Sequence, residues 1–281
     1  MVPGTQESID ATSTLVLTLA YDGARFAGFA RQPGLDTVQG RVESALTTVF
    51  GRAVETTGAG RTDAGVHALG QVVSAPLYGE NPDPHVLVRS LNALVGEGVA
   101  VTGVTRAVAG FSARHSAIRR EYRYTLVPGP VPPLFLRSTA WWVKRALDVG
   151  AMRDAGALLI GEHDFRSFCV AESAKGRVTR RRIEKLEVYP DVQLGERAIV
   201  VRVVGNAFLH SMVRVIVGSL VEVGSGRHPA GWIADALESR DRSAAGPTAP
   251  PHGLVLWRVE YAEDPWIRPG ACEIDTPDGG G

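Results

Sequence analysis

A glycine-rich stretch in the first quarter of the chain carries the side chains best suited to chemistry. Its sequence, Gly58-Ala59-Gly60-Arg61-Thr62-Asp63-Ala64-Gly65-Val66-His67, has too many glycines for a regular element and predicts a loop. Arg61 and Asp63 lie two residues apart on it. The Arg61 side chain could bind phosphate, and the Asp63 side chain supplies a carboxylate. The residues alone leave open the alternative that Asp63 only caps a tight turn.

A second candidate lies in an apolar stretch, Phe208 to Val223, whose pattern predicts a helix. Arg214 interrupts this stretch. A guanidinium buried there needs an anionic partner, because an unpaired buried charge is very costly. A carboxylate from elsewhere in the fold could be that partner. The alternative is an arginine that extends along the helix surface to reach water.

The composition bounds the class of protein. With 281 residues, of which 44% are hydrophobic and 21% charged, the chain is typical of one or two soluble globular domains. Cys169 and Cys272 are far apart, which disfavours a disulfide framework and a zinc site. No signal peptide is recognisable, and the longest apolar helix candidate is shorter than the roughly 20 residues that a membrane span needs. We therefore expect a cytoplasmic protein that binds no membrane and no metal.

The charges are unevenly placed, although the formal net charge is zero. One basic run, between Lys175 and Lys185, contains Arg177 and Arg180, and another contains Arg114 and His115. Segregation of this kind permits a local phosphate-binding surface on a neutral protein. The alternative is that both runs are solvated charges on strands and loops.

Alternating and helical periodicities predict a mixture of strands and helices. In the first half the predicted order is strand, helix, strand, strand, helix, strand, at 14–21, 37–50, 53–57, 71–75, 84–95 and 99–108. In the second half, strands are predicted at 118–127, 141–143, 182–189, 198–204 and 253–260, and helices at 148–159, 208–223 and 229–239. Asp36 and Gln39 have capping-box spacing at the start of the first helix. The order of the first half is that of a ferredoxin-like α+β unit. The whole pattern predicts an α+β fold built of two such units.

The same pattern divides the chain into four parts. We predict a flexible N-terminal tail at 1–13 and an N-terminal α+β domain at 14–110 that carries the Asp63 loop. A C-terminal α+β domain at 111–262 and a C-terminal tail at 263–281 follow.

Taken together, several stretches resemble the tRNA pseudouridine synthase A family. The loop 58–67 looks like the active-site motif of that family, and 206–214 followed by 216–218 resembles its second signature. Further matches occur in order at Tyr21-Asp22-Gly23, Thr37-Val38-Gln39, Phe111-Ser112-Ala113-Arg114, Tyr122-Arg123-Tyr124 and Gly161-Glu162-His163-Asp164-Phe165. The resemblance runs from about Leu15 to Tyr261.

The resemblance implies an isomerase that converts uridines 38, 39 and 40 of the tRNA anticodon arm to pseudouridine without a cofactor. It implies two ferredoxin-like (RRM-like) halves, whose antiparallel sheets join around a central catalytic cleft, and it implies a homodimer. Asp63 would be the nucleophile, and Arg214 would hold it in place. Tyr122 would lie against the flipped base and assist proton transfer at C5, and Leu254 would form an apolar wall.

Other positions would contact RNA by the same resemblance: Arg61, Arg114, His115, Arg177 and Arg180. Tyr122 and Leu254 could instead be plain core residues. His67, four residues after Asp63, could suggest a metal pair, but a structural role is the stronger interpretation. Glu121 departs from the more basic pattern expected beside Tyr122, which puts only local RNA contacts in doubt.

Three other functions remain open from the residues. A non-catalytic RNA-binding module on an RRM-like scaffold would use the basic runs but would not need an aspartate matched to an arginine. A nucleosidase that uses the same carboxylate would release free uracil. A metal-dependent nuclease would be sensitive to chelators.

Overall fold

A single large sheet with helices packed on it dominates the structure, a computed structural model that describes residues 11–262. The sheet has ten strands, and six α-helices accompany it in the described part of the chain. This arrangement confirms the α+β prediction. The C-terminal tail predicted at 263–281 lies outside the described residues, as does most of the N-terminal tail.

The first half of the chain forms three long strands and two long helices. The elements are β1 (Ser13–Tyr21), α1 (Val38–Phe50), β2 (Thr57–Gly58), β3 (His67–Leu77), α2 (Pro84–Val95) and β4 (Val99–Ala107). β1 pairs antiparallel with β3 on one side and with β4 on the other, and the short β2 pairs with β3. The Asp63 loop therefore connects β2 to β3.

The second half contributes the other strands and helices. They are β5 (Ala117–Pro128), β6 (Trp141–Val143), α3 (Val149–Ala157), β7 (Gly161–Asp164), α4 (Ala171–Ala174), β8 (Arg180–Gln193), β9 (Glu196–Gly205), α5 (Met212–Gly224), α6 (Trp232–Ser239) and β10 (Leu254–Tyr261). β5 pairs antiparallel with β9 and with β10, and β8 lies between β9 and β7. The sequence pattern did not predict β7 and α4 as separate elements.

The two groups of strands meet where β3 pairs with β10. The order across the sheet is β4-β1-β3-β10-β5-β9-β8-β7. The seam is a short parallel contact in which Val255 pairs with His67 and Leu256 with Ala68. Since β3 begins at His67, immediately after the Asp63 loop, this seam brings the loop beside the start of β10.

The predicted helix α1 begins with a different cap from the one expected. Thr37 is the N-cap, and its side chain accepts a hydrogen bond from the Gly40 N–H. Asp36 instead forms a two-pronged ion pair with Arg41, with Nε–Oδ1 and Nη2–Oδ2 distances of 2.7 Å each. The capping-box interpretation was therefore wrong, because the Asp36 carboxylate is held by Arg41 rather than by the helix N-terminus.

The helix α5 is deeply buried, and it begins later than the sequence predicts. Its apolar residues Met212, Val215, Ile216, Val217 and Leu220 are at most 1% exposed. Residues 208–211, expected in the helix, belong instead to a turn in which the Asn206 side chain accepts hydrogen bonds from backbone N–H groups. Among residues 11–262, helices lack the combination of length and apolarity that crossing a bilayer would require.

Candidate active site

The Asp63 loop is held from one side by the turn that follows β1. The Phe29 N–H donates to the Thr62 carbonyl at 3.1 Å, and the Gly65 N–H donates to the Gly23 carbonyl at 3.1 Å. Gly23 lies so close to the loop that a Cβ there would be 2.0 Å from the Val66 carbonyl oxygen. Glycine is needed at this position because any side chain would push the loop away.

Buried polar side chains hold the loop from the other side. Gln71 of β3 donates from Nε2 to the Gly60 carbonyl at 2.8 Å, and Arg120 of β5 donates from Nη2 to the Ala59 carbonyl at 3.0 Å. The hydroxyls of Tyr21 and Thr62 lie 2.8 Å apart, and burial raises the pKa of Tyr21 to about 12. Loop carbonyls with fixed partners leave Asp63 little freedom to move.

The Asp63 carboxylate lies against the N-terminal end of α5. Its Oδ2 accepts a hydrogen bond from Arg214 Nη1 at 2.7 Å and another from the Ser211 hydroxyl at 2.7 Å. Its Oδ1 lies 3.3 Å from Nε2 of His210. The side chains of Asp63 and Arg214 are 21% and 16% exposed, so the pair is largely shielded but open to a ligand. The anionic partner predicted for Arg214 is therefore Asp63.

Arg214 is itself fixed by the segment that follows α6. Its Nε donates to the Ala249 carbonyl at 2.8 Å, and the Ala249 N–H donates to the Arg214 carbonyl at 3.1 Å. The Tyr124 hydroxyl donates to the neighbouring Pro250 carbonyl at 2.8 Å. A Cβ at Gly218 would lie 1.8 Å from the Pro247 carbonyl oxygen, so glycine allows this segment to pack directly on α5. The guanidinium therefore points at Asp63, with its Nε held by the Ala249 carbonyl.

Tyr122 and Leu254 lie on the same face of neighbouring strands. Leu254 is paired with Tyr124, and Tyr122 is paired with Leu256, so the four side chains share one side of the sheet. Tyr122 is 7% exposed and Leu254 is 5% exposed. Burial raises the pKa of Tyr122, and smaller electrostatic effects include a raising contribution from Asp63. The Phe208 ring packs edge-on against Tyr122, with centroids 5.1 Å apart.

The predicted basic positions are exposed and lie on two groups of segments, which we call flanks. The first flank is the Asp63 loop with the turn before β5, and the second is the segment that leads into β8. Arg61 is on the Asp63 loop, and Arg114 and His115 are on the turn before β5. Arg120 connects the two places, because its Nη2 also donates to the Arg114 carbonyl at 2.7 Å. Arg177 precedes β8.

On the second flank, the segment before β8 is connected to the turn that contacts Asp63. The Val170 N–H donates to the His210 carbonyl at 3.2 Å. Arg180, the first residue of β8, lies 3.3 Å from Glu162. A cavity of about 210 Å³ beside this segment is lined by Arg166, Ala171, Ala174, Lys175, Arg240, Asp241 and Arg242. Cationic side chains thus surround an open space next to the active-site turn.

Sequence reasoning missed His210 and Ser211, which both contact Asp63. They lie inside the second signature, and Arg214 lies four residues after His210, so helical spacing was a possible signal. Glu121 has a structural explanation: it is buried and accepts hydrogen bonds from Arg202 at 2.9 Å and from Arg123 at 2.8 Å.

His67 is also buried, and its ring nitrogens have partners in the protein. Nδ1 accepts a hydrogen bond from the Gly23 N–H at 3.2 Å, and Nε2 lies 3.2 Å from the Ser138 carbonyl. These contacts give His67 a role in holding the start of β3. Within residues 11–262, no three His, Cys, Asp or Glu side chains are grouped closely enough to bind a metal ion.

Comparison with known proteins gives consistent matches along the chain. A family model described as tRNA pseudouridine synthase matches residues 18–98 and 155–262. A protein named tRNA pseudouridine synthase A from Frankia casuarinae is 44% identical over 259 residues, which cover 91% of this chain and 92% of that protein. Proteins of the same name from Neisseria meningitidis serogroup B and from Geobacillus sp. are 44% and 42% identical, and the matches cover 88% and 87% of this chain and 91% and 96% of those proteins.

Similarity to solved structures is weaker. A chain in a Cbf5-Nop10-Gar1 complex matches with a TM-score of 0.35 and 14% sequence identity, over 82% of this chain and 60% of that chain. A likeness at this level carries no argument about function.

Proposed function

The chain belongs to the tRNA pseudouridine synthase family, and we propose that it isomerises uridines 38, 39 and 40 in the anticodon stem-loop of tRNA. It is an isomerase that forms pseudouridine in tRNA. The observation that carries the proposed site is the contact between Asp63 Oδ2 and Arg214 Nη1, on a loop held from both sides.

Asp63 is the proposed nucleophile. In the reaction, the N1–C1′ bond breaks with its electron pair staying on the uracil ring, the ring turns, and C5 bonds to C1′. The C5 proton leaves and N1 gains a proton, so the product is an isomer and no co-substrate is consumed. The carboxylate can act by bonding to the ribose or by removing a ribose proton, and both routes need it ionised and aimed. Arg214 orients the carboxylate by donating a charged hydrogen bond to it.

The function itself is tested with tRNA that carries tritium at uridine C5. Pseudouridine formation releases this tritium to water and leaves no free uracil. A nucleosidase would release uracil from the RNA, and a non-catalytic RNA-binding module would bind the tRNA without release. Mapping the modified positions then tests the assignment to uridines 38, 39 and 40.

Tyr122 and Leu254 are proposed to enclose the flipped base, with Tyr122 assisting proton transfer at C5. An aromatic face and an apolar wall replace the stacking that the base loses on leaving the helix. Since burial raises the pKa of Tyr122, the phenol stays protonated at neutral pH, and its ionised fraction grows throughout the range from neutral pH to about pH 10.

We expect Tyr122→Phe to slow single-turnover tritium release by about 100-fold, because general acid–base assistance is worth roughly that much. We also expect the wild-type rate to rise with pH without a plateau below about pH 10, and the variant to lose this rise. Tyr189→Phe, at a half-buried tyrosine of β8, is the matched control. An unchanged rate and pH profile in Tyr122→Phe would assign Tyr122 to packing alone.

Arg61, Arg114, His115, Arg177 and Arg180 are proposed to bind the tRNA backbone. Their support is that they are exposed on the two flanks and that the cation-lined cavity of about 210 Å³ lies beside the second flank. A strand of RNA whose target uridine reaches Asp63 would pass both flanks. Arg61, on the catalytic loop itself, is placed to hold the backbone of the flipped nucleotide.

Salt dependence tests these contacts. Replacing Arg114 or Arg177 by Ala should weaken tRNA binding and reduce the magnitude of the slope of log K against log [salt] by about 1 each. The reason is that binding releases counterions at each phosphate contact, and each variant forms one contact fewer. Arg89→Ala is the control, since Arg89 is an exposed arginine on α2. If Arg114→Ala and Arg177→Ala keep the salt slope of the wild type, as Arg89→Ala is expected to do, neither residue contacts the RNA backbone.

Two ferredoxin-like halves, at 14–110 and 111–262, are proposed from the strand order. In the first half the order is β4-β1-β3, with β2 on β3, and in the second half it is β10-β5-β9-β8. In the first half α1 follows the first strand, in the second half α3 follows β5 and the short β6, and in each half another helix precedes the last strand. The seam of two residue pairs between β3 and β10 is short beside the seven pairs between β5 and β9, which supports a boundary there.

We also propose a cytoplasmic homodimer, with one tRNA spanning both subunits. The proposal rests on the family resemblance and on exposed apolar side chains after β5, where Val131, Leu134 and Phe135 are 74%, 65% and 63% exposed. Exposed apolar groups of this kind favour a protein interface. The mass of the particle in solution, with and without tRNA, tests it.

A further inference from the structure

Ser211 has a backbone conformation that its residue type disfavours. Its φ and ψ are +58° and +11°, in the left-handed region. An L-residue with a side chain is crowded there, and residues in this region gather at sites where the surrounding structure requires them. Ser211 is one of the positive-φ residues other than glycine in the described part of the chain, and it is next to the catalytic carboxylate.

Ser211 also does not do what a serine at its position normally does. It is the N-cap residue of α5, where a serine side chain usually accepts a hydrogen bond from a backbone N–H of the first turn. Within the described residues its side chain makes no such capping bond. The hydroxyl instead donates to Asp63 Oδ2 at 2.7 Å. The left-handed turn is what directs the hydroxyl away from the helix and toward Asp63.

The two oxygens of Asp63 therefore have different surroundings. Oδ2 accepts from Arg214 and from Ser211, both at 2.7 Å. Oδ1 lies beside His210 at the longer distance of 3.3 Å, and the His210 side chain is 53% exposed. Two donors on one oxygen hold the plane of the carboxylate as well as its position, since a single donor would leave it free to rotate. Oδ1 is the oxygen left available to a substrate.

From this geometry we infer that Ser211 is a positioning residue, which together with Arg214 fixes Asp63 Oδ2 so that Oδ1 is presented to the nucleotide. The inference rests on the proposed function of Asp63 and adds to it which oxygen reacts and what orients it. Ser211 acts through Asp63 and needs no contact with the tRNA.

The test compares Ser211→Ala and Ser211→Gly with the wild type. Both variants lose the hydroxyl, but glycine accepts a positive φ without strain, so Ser211→Gly is expected to unfold at a higher temperature than Ser211→Ala. We expect the single-turnover rate of tritium release to fall by about 10- to 100-fold in both variants, as for loss of a hydrogen bond to a charged group, with the Kd for tRNA unchanged.

Ser225→Ala is the matched control. Ser225 is the C-cap residue of the same helix, and its hydroxyl donates to the Glu222 carbonyl. The wild type and this control are expected to react at the same rate. A Ser211→Gly protein that folds and reacts at the wild-type rate would overturn the inference, whereas an inactive wild type would instead overturn the proposed function.

Discussion

Asp63→Asn is expected to abolish tritium release from C5-labelled tRNA, with a loss on the order of 10⁴-fold or more, as for removal of an enzyme nucleophile. The amide has almost the same shape as the carboxylate but lacks its charge and its nucleophilic oxygen. The Kd for tRNA should remain within about threefold, because the phosphate contacts that dominate RNA affinity lie elsewhere on the surface. Single-turnover kinetics and filter binding on the same preparations measure the two quantities.

Asp83→Asn provides the matched control for this substitution. Asp83 caps α2 by accepting hydrogen bonds from the His85 and Val86 N–H groups. Asparagine is an equally good N-cap, so this variant should keep both activity and stability. Wild-type turnover in Asp63→Asn would make Asp63 a turn residue and require a different catalytic group for the reaction.

Arg214→Ala is expected to lower the rate of tritium release by about 100- to 1,000-fold, the range seen when one preorganised donor is removed from an active site. Two interactions are lost together, because the guanidinium bridges Asp63 Oδ2 and the Ala249 carbonyl. We also expect a loss of about 1–3 kcal/mol in the free energy of unfolding, since the Ala249 carbonyl and the Asp63 carboxylate lose a largely buried donor. Thermal or urea unfolding measures that loss.

Arg214→Lys separates charge from geometry. A lysine ammonium keeps the positive charge but cannot reproduce the planar fork that reaches two acceptors. The rate of Arg214→Lys should therefore lie between those of Arg214→Ala and the wild type. The double variant Asp63→Asn with Arg214→Ala should be no slower than Asp63→Asn alone, because the two residues act as a unit. A further loss in the double variant would mean that Arg214 acts on the substrate independently of Asp63.

Local signals predicted most of the regular elements. Helix α2 begins and ends where the sequence indicates, with Asp83 as its cap and Pro84 at its first position. The cap of α1 was assigned to Asp36 and belongs to Thr37. Neighbouring Asp and Thr are both good caps, and the choice was made by Arg41, which binds the Asp36 carboxylate. The sequence pattern identifies both residues as possible N-caps, but it does not show that Arg41 binds one of them.

The start of α5 shows a similar limit. Apolar spacing continues back to Phe208, so periodicity extends the helix too far. The helix begins only after Ser211, because Asn206 holds the preceding turn and the Ser211 hydroxyl binds a carboxylate 148 residues away in sequence. Neither partner is local to the helix. The buried face of α5, in contrast, was evident from its apolar residues alone.

By itself, the sequence determined that this chain has an α+β fold, a glycine-rich loop with Asp63, and an apolar helix whose Arg214 needs an anion. These follow from side-chain size, polarity and spacing, which act over a few residues. Tertiary structure alone decided that the anion is Asp63, 151 residues from Arg214, and that Ser211 shares its oxygen. The parallel pairing of His67 with Val255 brings the loop beside β10, and the segment before β10 holds Arg214 through the Ala249 carbonyl. Contacts between residues so distant depend on how whole elements pack, and no local pattern in the sequence encodes that packing.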